Sequence, residues 1–217
     1  MLKIVVYDGG MGGELFADYL ETELPIVQVI RVIDWRHLED LSKSRHKARI
    51  TAEAALKPYI GKVDLIVLAN HLLGVTSLRY FERTYKNQQF TGFKFPTIST
   101  FVPRETILLT TTALTRTLKF KLYLRSCHRD ITTVVADDWP SKIDDATLSG
   151  HEVRKLFVQS TKGSNNFPKE VIIACAHFSD FVKYLNKHSV KVHDSYRETL
   201  IDIYRKLKIR GIPKQKS

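Results

Sequence analysis

Long apolar runs are missing from this sequence of 217 residues. No stretch approaches the roughly 20 consecutive apolar residues that a membrane-spanning helix needs, so no membrane partner is expected. The amino terminus opens on a strand-like run, LKIVVYD, rather than on a basic segment followed by an apolar signal core, which predicts a cytoplasmic location. Cysteine is almost absent too. Cys127 and Cys175 are too few for a disulfide framework, and the cytoplasmic expectation makes both free thiols. The eight histidines include no H-E-x-x-H pattern and no closely paired Cys/His ligands, so no metal is expected. Helix-turn-helix, zinc-ligand and aromatic signature-strand patterns are missing as well. The formal charge of +11 therefore reads as a solvated basic surface, with its one concentration in YRKLKIRGIPKQKS (204–217), and no nucleic-acid partner is expected.

What is present is a regular alternation of short apolar runs with longer amphipathic ones, and 43% hydrophobic residues to build a core. Strands are predicted at 2–8, 27–33, 63–69, 95–99, 106–111, 132–137, 170–176 and 190–194. Helices are predicted near 13–23, 42–58, 74–87, 112–118, 149–160, 178–187 and 195–208. The strands show little polar alternation, so both faces of their sheets should be covered, as in an α/β protein. The pattern also occurs twice: LKIVVYDGGMGGELFADYL and ETILLTTTALTRTLKF each run strand, small-residue loop, helix. The two units would join near FPTISTFVPRE (95–105), and TKGSNNFPKE (161–170) reads as a second loop.

Ligands of open α/β sheets collect beyond the carboxyl ends of the strands. Those ends carry Asp8 with Gly9 and Gly10, Asn70 with His71, Thr110 to Thr112, Asp137 with Asp138, Cys175 with His177, and Asp194 with Ser195. The first of them, YDGGMGG, reads as the mouth of a site. It is neither a dinucleotide fingerprint nor a P-loop, because the sixth position counted from Gly10 is Leu15 and no lysine follows. Thr110 to Thr112 fit either a carboxylate-binding turn or an ordinary strand end. In IIACAHFSD (172–180) a thiol ends an apolar strand and an imidazole follows two residues later. Cys175 reads as an acid/base or nucleophile favoured by His177, or as a small buried hydrophobe. Cys127, in the polar turn LRSCHRD, reads as structural.

The ordered strand ends resemble those of glutamate racemases and the wider aspartate/glutamate racemase superfamily. VVYDGGMGGELFADYL is similar to their D-S-G-x-G-G motif and IIACAHFSDFVKYL to their G-C-T-H-Y-P motif. VDLIVLANHLLGV aligns with the strand that ends in A-C-N-T, ILLTTTALTRT with a Thr-containing turn, and VKVHDSYRETLIDIY with the closing strand and helix. The resemblance implies two pseudo-symmetric flavodoxin-like α/β/α lobes with mainly parallel sheets and an interlobe cleft. It assigns residues 1–98 plus 188–217 to lobe 1 and 99–187 to lobe 2. It further implies a racemase/epimerase-like enzyme, independent of pyridoxal phosphate and of any other cofactor, acting at the carbon next to the carboxylate of an amino acid or small carboxylic acid, and a possible homodimer.

On this resemblance Cys175 is the acid/base, His177 its tuning partner and Asp8 a cleft residue that orients substrate or assists proton transfer. Gly9, Gly10, Asn70, His71, Thr111, Thr112 and Ala176 are its substrate-binding positions. The chain departs from the family where Asn70 stands in place of the first cysteine, Gly9 in place of serine and Ala176 in place of threonine, and where DWRHLEDLSKSRHKAR (34–49) lacks a Pro-Tyr-Gly segment. An amide is neither acid nor base, so one face of a substrate loses its usual catalyst. His71 supplies a replacement base if it turns into the cleft, or else packs against the interlobe surface. The alternatives implied are a one-cysteine decarboxylase or isomerase, and a non-catalytic racemase-fold protein that binds a small anion or a protein partner.

Overall fold

A computed structural model describes residues 1–37, 44–97, 106–127, 131–160, 168–181, 185 and 188–210. The first lobe begins with β1 (Leu2–Asp8), α1 (Met11–Glu23) and β2 (Val27–Ile33), followed by a 3₁₀ turn at Trp35–His37. It continues with α2 (Arg45–Leu56), β3 (Leu65–Leu68), α3 (His71–Thr76), α4 (Leu78–Thr84) and β4 (Phe90–Gly92). The second lobe runs β5 (Thr106–Thr110), α5 (Thr112–Thr115), α6 (Leu118–Ser126), β6 (Thr132–Val135), α7 (Trp139–Asp144), α8 (Gly150–Ser160) and β7 (Glu170–Ile173). A 3₁₀ segment at Ala176–Phe181, β8 (Lys191–His193) and α9 (Tyr196–Lys206) complete the described chain.

Two four-stranded sheets result, ordered β2-β1-β3-β4 and β6-β5-β7-β8, with every pairing parallel. The same strand order occurs twice, so the expected pair of similar α/β lobes is present. The two inner strands of each sheet carry uninterrupted apolar runs because helices cover both faces: β3, β5 and β7 are buried at every position and β1 from Ile4 onward. The outer strands β2 and β6 are partly exposed.

Four apolar clusters cover the faces of the two sheets, and three of them join the lobes, one through Met11 of α1 packed against the second-lobe cluster around Trp139. Leu72 and Val75 of α3 pack with Leu108, Leu114, Phe120 and Ile172, while Ala176 enters the first-lobe cluster around Phe16 and Phe93. Capped helix starts fix the local chain direction. Ser44 accepts from the Lys47 amide at 3.4 Å, Asn70 from Leu73 at 3.1 Å and Thr117 from Phe120 at 3.1 Å.

Several elements differ from expectation. The strand expected at 95–99 is absent at 95–97, and residues 98 and 99 lie outside the described residues; the fourth strand forms earlier, at Phe90–Gly92. The helix expected at 74–87 is two helices meeting at Ser77. Helices α6 and α7 were not expected, and of the expected 178–187 helix only a 3₁₀ segment ending at Phe181 is described. The strand near 190–194, expected to return with lobe 1, is instead hydrogen-bonded to β7 in the second sheet: Lys191 pairs with Glu170 and His193 with Ile172. The return to the first lobe comes with α9, whose Leu200, Ile203 and Tyr204 pack into the Phe16 cluster. Residues 42, 43, 100–105, 128–130, 161–167, 182–184, 186, 187 and 211–217, on which other expectations fell, lie outside the described residues.

Candidate active site

In each sheet the order of strands reverses direction beside its first strand, between β1 and β3 and again between β5 and β7. Loops leaving such a point diverge to opposite faces and open a crevice, which is where open α/β sheets bind ligands. The ladders show which residues correspond. Ala69 donates its amide to Tyr7 at 2.9 Å as Ala174 does to Leu109 at 2.9 Å, and Asp34 donates to Asp8 at 2.8 Å as Ala136 does to Thr110 at 3.0 Å. Counted outward from these bonds, Asp8 is the counterpart of Thr110, Gly9 of Thr111, and Asn70 of Cys175. The two switch points thus carry Asp8, Gly9, Asn70, Thr111 and Cys175, with an amide on one side and a thiol on the other, whereas Asp137, Asp138, Asp194 and Ser195 follow the outer strands β6 and β8.

On the thiol side, Cys175 Sγ lies 3.9 Å from His177 Nδ1. The other ring nitrogen, Nε2, faces Asp144 Oδ2 at 3.3 Å, a contact between charges that lacks hydrogen-bond alignment. Asp144 ends α7, and its Oδ1 accepts the Met11 amide at 3.0 Å, so this carboxylate joins the second lobe to the start of α1 in the first. Burial works against an imidazolium at His177, but Asp144, Cys175 and Asp8 outweigh it and carry the group well above its ordinary value. Asp8 is fully buried. Burial pushes its carboxyl up, against the pull of His177, the Gly9 amide and Asn70.

On the amide side, Asn70 uses both ends of its side chain. Oδ1 caps α3, and Nδ2 donates to Asp8 Oδ1 at 3.1 Å. His71 Nε2 lies 2.8 Å from Ser195 Oγ, whose single proton goes to the Lys94 carbonyl. Since a carbonyl only accepts, the proton between ring and hydroxyl belongs to Nε2, and Nδ1 is left as a buried acceptor without a partner. Burial, with repulsion from His177, lowers the imidazole to about 3, so His71 is neutral; its ring packs edge-on against Phe93 at 5.0 Å.

Asn70, His71, Thr111, Cys175, Ala176 and His177 border one cavity between the lobes, walled by Leu72, Leu114, Pro140 and Ala174. Its volume is about 30 Å³, room for one or two waters and well short of the roughly 300 Å³ at which small-molecule pockets begin. Binding an amino acid here requires the lobes to part. Thr112 is occupied elsewhere, its amide and hydroxyl donating to Asp137 at 2.7 and 2.5 Å. The glycine loop is filled by protein. A Cβ on Gly10 would stand 2.5 Å from His177 Nε2, and one on Gly12 would stand 2.5 Å from Ala176 Cβ. These glycines let the lobes meet, which explains a loop nearly without side chains.

Two participants escaped the sequence reading. Asp144 sits in KIDDAT like any solvated acid, and no spacing signals its approach to Met11. Ser195 was visible as a strand end but not as the partner of His71. Cys127 lies away from the cavity; its thiol donates to the Tyr123 carbonyl at 3.1 Å and is pushed up by burial. Among the described residues no group of three or more His, Cys, Asp or Glu is placed to hold a metal ion, and no helix is long and apolar enough to cross a membrane.

No protein-family model matches the sequence, and none of the curated proteins matches it. Solved structures do. Glutamate racemase of Escherichia coli, in complex with L-glutamate and the activator UDP-MurNAc-Ala, superposes with a TM-score of 0.80 at 18% identity, covering 100% of this chain and 85% of that one. Glutamate racemase of Francisella tularensis with D-glutamate gives 0.70 at 19% identity over 98% and 84% of the two chains. The aspartate racemase of Picrophilus torridus gives 0.56 at 15% over 94% and 92%. From end to end, the chain has the two-lobed fold of the glutamate and aspartate racemases.

Proposed function

We propose that the protein is a cofactor-independent enzyme that moves a proton at the carbon next to the carboxylate of an amino acid or small carboxylic acid, using Cys175 from one face. The observation that carries this reading is the Cys175–His177–Asp144 series at the wall of the interlobe cavity. The imidazole beside the sulfur gives Cys175 a partner for proton transfer, and the Asp144 carboxylate favours the charged form of that imidazole. Glutamate is bound in the similarly folded racemases of E. coli and F. tularensis, which makes acidic amino acids the first substrates to test.

The opposite face is different in kind. Asn70, the counterpart of Cys175, has no proton to exchange, and neutral His71 is a weak base with Nε2 committed to Ser195. This favours a one-sided step, such as protonation of an enolate, over the symmetric two-thiol racemisation of the family. Asp8 acts from behind Asn70 by fixing its amide and by adding to the field at His177.

The test is incubation in deuterated water with acidic amino acids and small carboxylic acids, followed by NMR for exchange at the α-carbon. Exchange that disappears in Cys175→Ser supports the reading. Exchange that persists in Cys175→Ser, or no exchange with any substrate, refutes it. A second reading, a binding protein without catalysis, is favoured by one observation: both ends of Asn70 are used in holding α3 and Asp8. Its mark is a ligand-dependent rise in melting temperature without exchange.

A further inference from the structure

A second and larger cavity shares one lining side chain, that of Leu72, with the first. It measures about 560 Å³, within the range of small-molecule sites, and opens to solvent between the lobes. Ser44 and Arg45 at the start of α2 border it from the first lobe, and Arg116, Thr117 and Lys119 at the start of α6 border it from the second. Leu72 lines both cavities.

The described lining of this groove carries charge of one sign: among the described residues it includes three cationic side chains and no Asp or Glu, and Arg45, Arg116 and Lys119 make no ion pair. Burial and the nearby Arg79 and Lys94 lower Lys119 from its ordinary value, with Glu82 offsetting only part of the effect. Two helices of 12 and 9 residues point their amino ends at the groove. Each cap residue satisfies one first-turn amide and leaves others without an intrahelical acceptor. Positive charge gathered this way repels itself until an anion neutralises it. Guanidinium groups favour anions with oxygens arranged for forked hydrogen bonds, above all phosphate.

We propose that the groove binds the phosphate group of a small molecule, held between Arg45 of the first lobe and Arg116 and Lys119 of the second. The site stands apart from the Cys175 chemistry and does not depend on it. A ligand held by both lobes ties them together, and Leu72, which lines both cavities, is the side chain through which its presence would reach the smaller one.

Pyrophosphate and inorganic phosphate serve as probes in calorimetric titrations of the full chain at constant ionic strength. One-to-one binding is expected, tighter for pyrophosphate if the groove spans two phosphates. Removing one charged hydrogen-bonding partner costs about tenfold in affinity or more. Arg45→Gln and the pair Arg116→Gln with Lys119→Gln, from opposite lobes, should each show that loss. The pair Arg83→Gln with Arg205→Gln removes the same two charges elsewhere and should change affinity less than about twofold. Circular dichroism confirms that each variant is folded. The proposal is overturned if neither probe binds the native protein at millimolar concentration. It is equally overturned if the two double variants weaken binding alike, since that is attraction to net charge alone.

Discussion

Replacing Asp144 by Asn tests the electrostatics at His177 without changing its shape. The amide oxygen still accepts from the Met11 amide, so the bond between lobes survives, while the negative charge 3.3 Å from Nε2 disappears. Breaking a buried ion pair costs roughly 3–5 kcal/mol where the remaining ion stays charged. His177 can instead lose its proton, and the contact lacks hydrogen-bond alignment, so about 2 kcal/mol is the expected loss at pH 6. In a chain of this size that is a fall of about 4–8 °C in melting temperature. The pH dependence is the sharper measurement. His177 is raised in the folded state above its ordinary 6.5, so its contribution is complete below the unfolded value and fades as pH rises through the folded value. Native and Asp144→Asn proteins should differ most at pH 6 and converge in alkaline solution, when both hold a neutral imidazole. Buried Asp8 titrates in both proteins and largely cancels in the comparison. Melting curves at intervals from pH 5.5 to 10 decide the matter. A difference that stays constant or grows with pH refutes the assignment of a charged His177 paired with Asp144.

Gly12→Ala places a methyl group 2.5 Å from Ala176 Cβ and 2.7 Å from the Ala176 carbonyl carbon, where backbone cannot yield cheaply. A loss of about 1–3 kcal/mol in urea unfolding is expected. Ser195→Ala leaves both His71 Nε2–H and the Lys94 carbonyl without their partner, and the same assay should show roughly 2–4 kcal/mol. Asn70→Asp keeps the cap on α3 but sets a second carboxyl against Asp8. The pair then titrates above the ordinary carboxylate range, so the variant should match the native protein near pH 3.5 and lose about 2 kcal/mol or more by pH 7.

The inner strands were legible because a strand covered on both faces must be apolar throughout, as IVVY and LIVL are. Helix α6 was not, because the alternation in KFKLYL imitates a strand, and only Phe120 of that helix is buried. β4 holds only Phe, Thr and Gly, too short to show a period, and its place is set by pairing with β3. α7 opens on Trp-Pro, where the proline sits at the tolerated first turn and looks like a loop signal. At the site, Asp8, Asn70, Cys175 and His177 stood out because each ends an apolar run. The use of those residues was not legible. That Asn70 is tied to Asp8, that His71 points Nε2 at Ser195 and that Asp144 arrives beside His177 are contacts between segments up to 124 residues apart, created by tertiary packing. The sequence does not show that Gly10 and Gly12 face His177 and Ala176 of the other lobe while Gly13 faces Asp8 and Ile33 of its own.

The path of the chain between lobes has a consequence for synthesis. The second sheet is complete once His193 has paired with Ile172, whereas the Phe16 cluster of the first lobe still waits for Leu200, Ile203 and Tyr204. Although its strands are made first, the amino-terminal lobe is therefore the last to finish. On the ribosome it would emerge with the apolar face that later receives α9 still uncovered. A chain truncated between residues 193 and 200 would pair a complete second sheet with a first lobe that lacks the apolar face of α9.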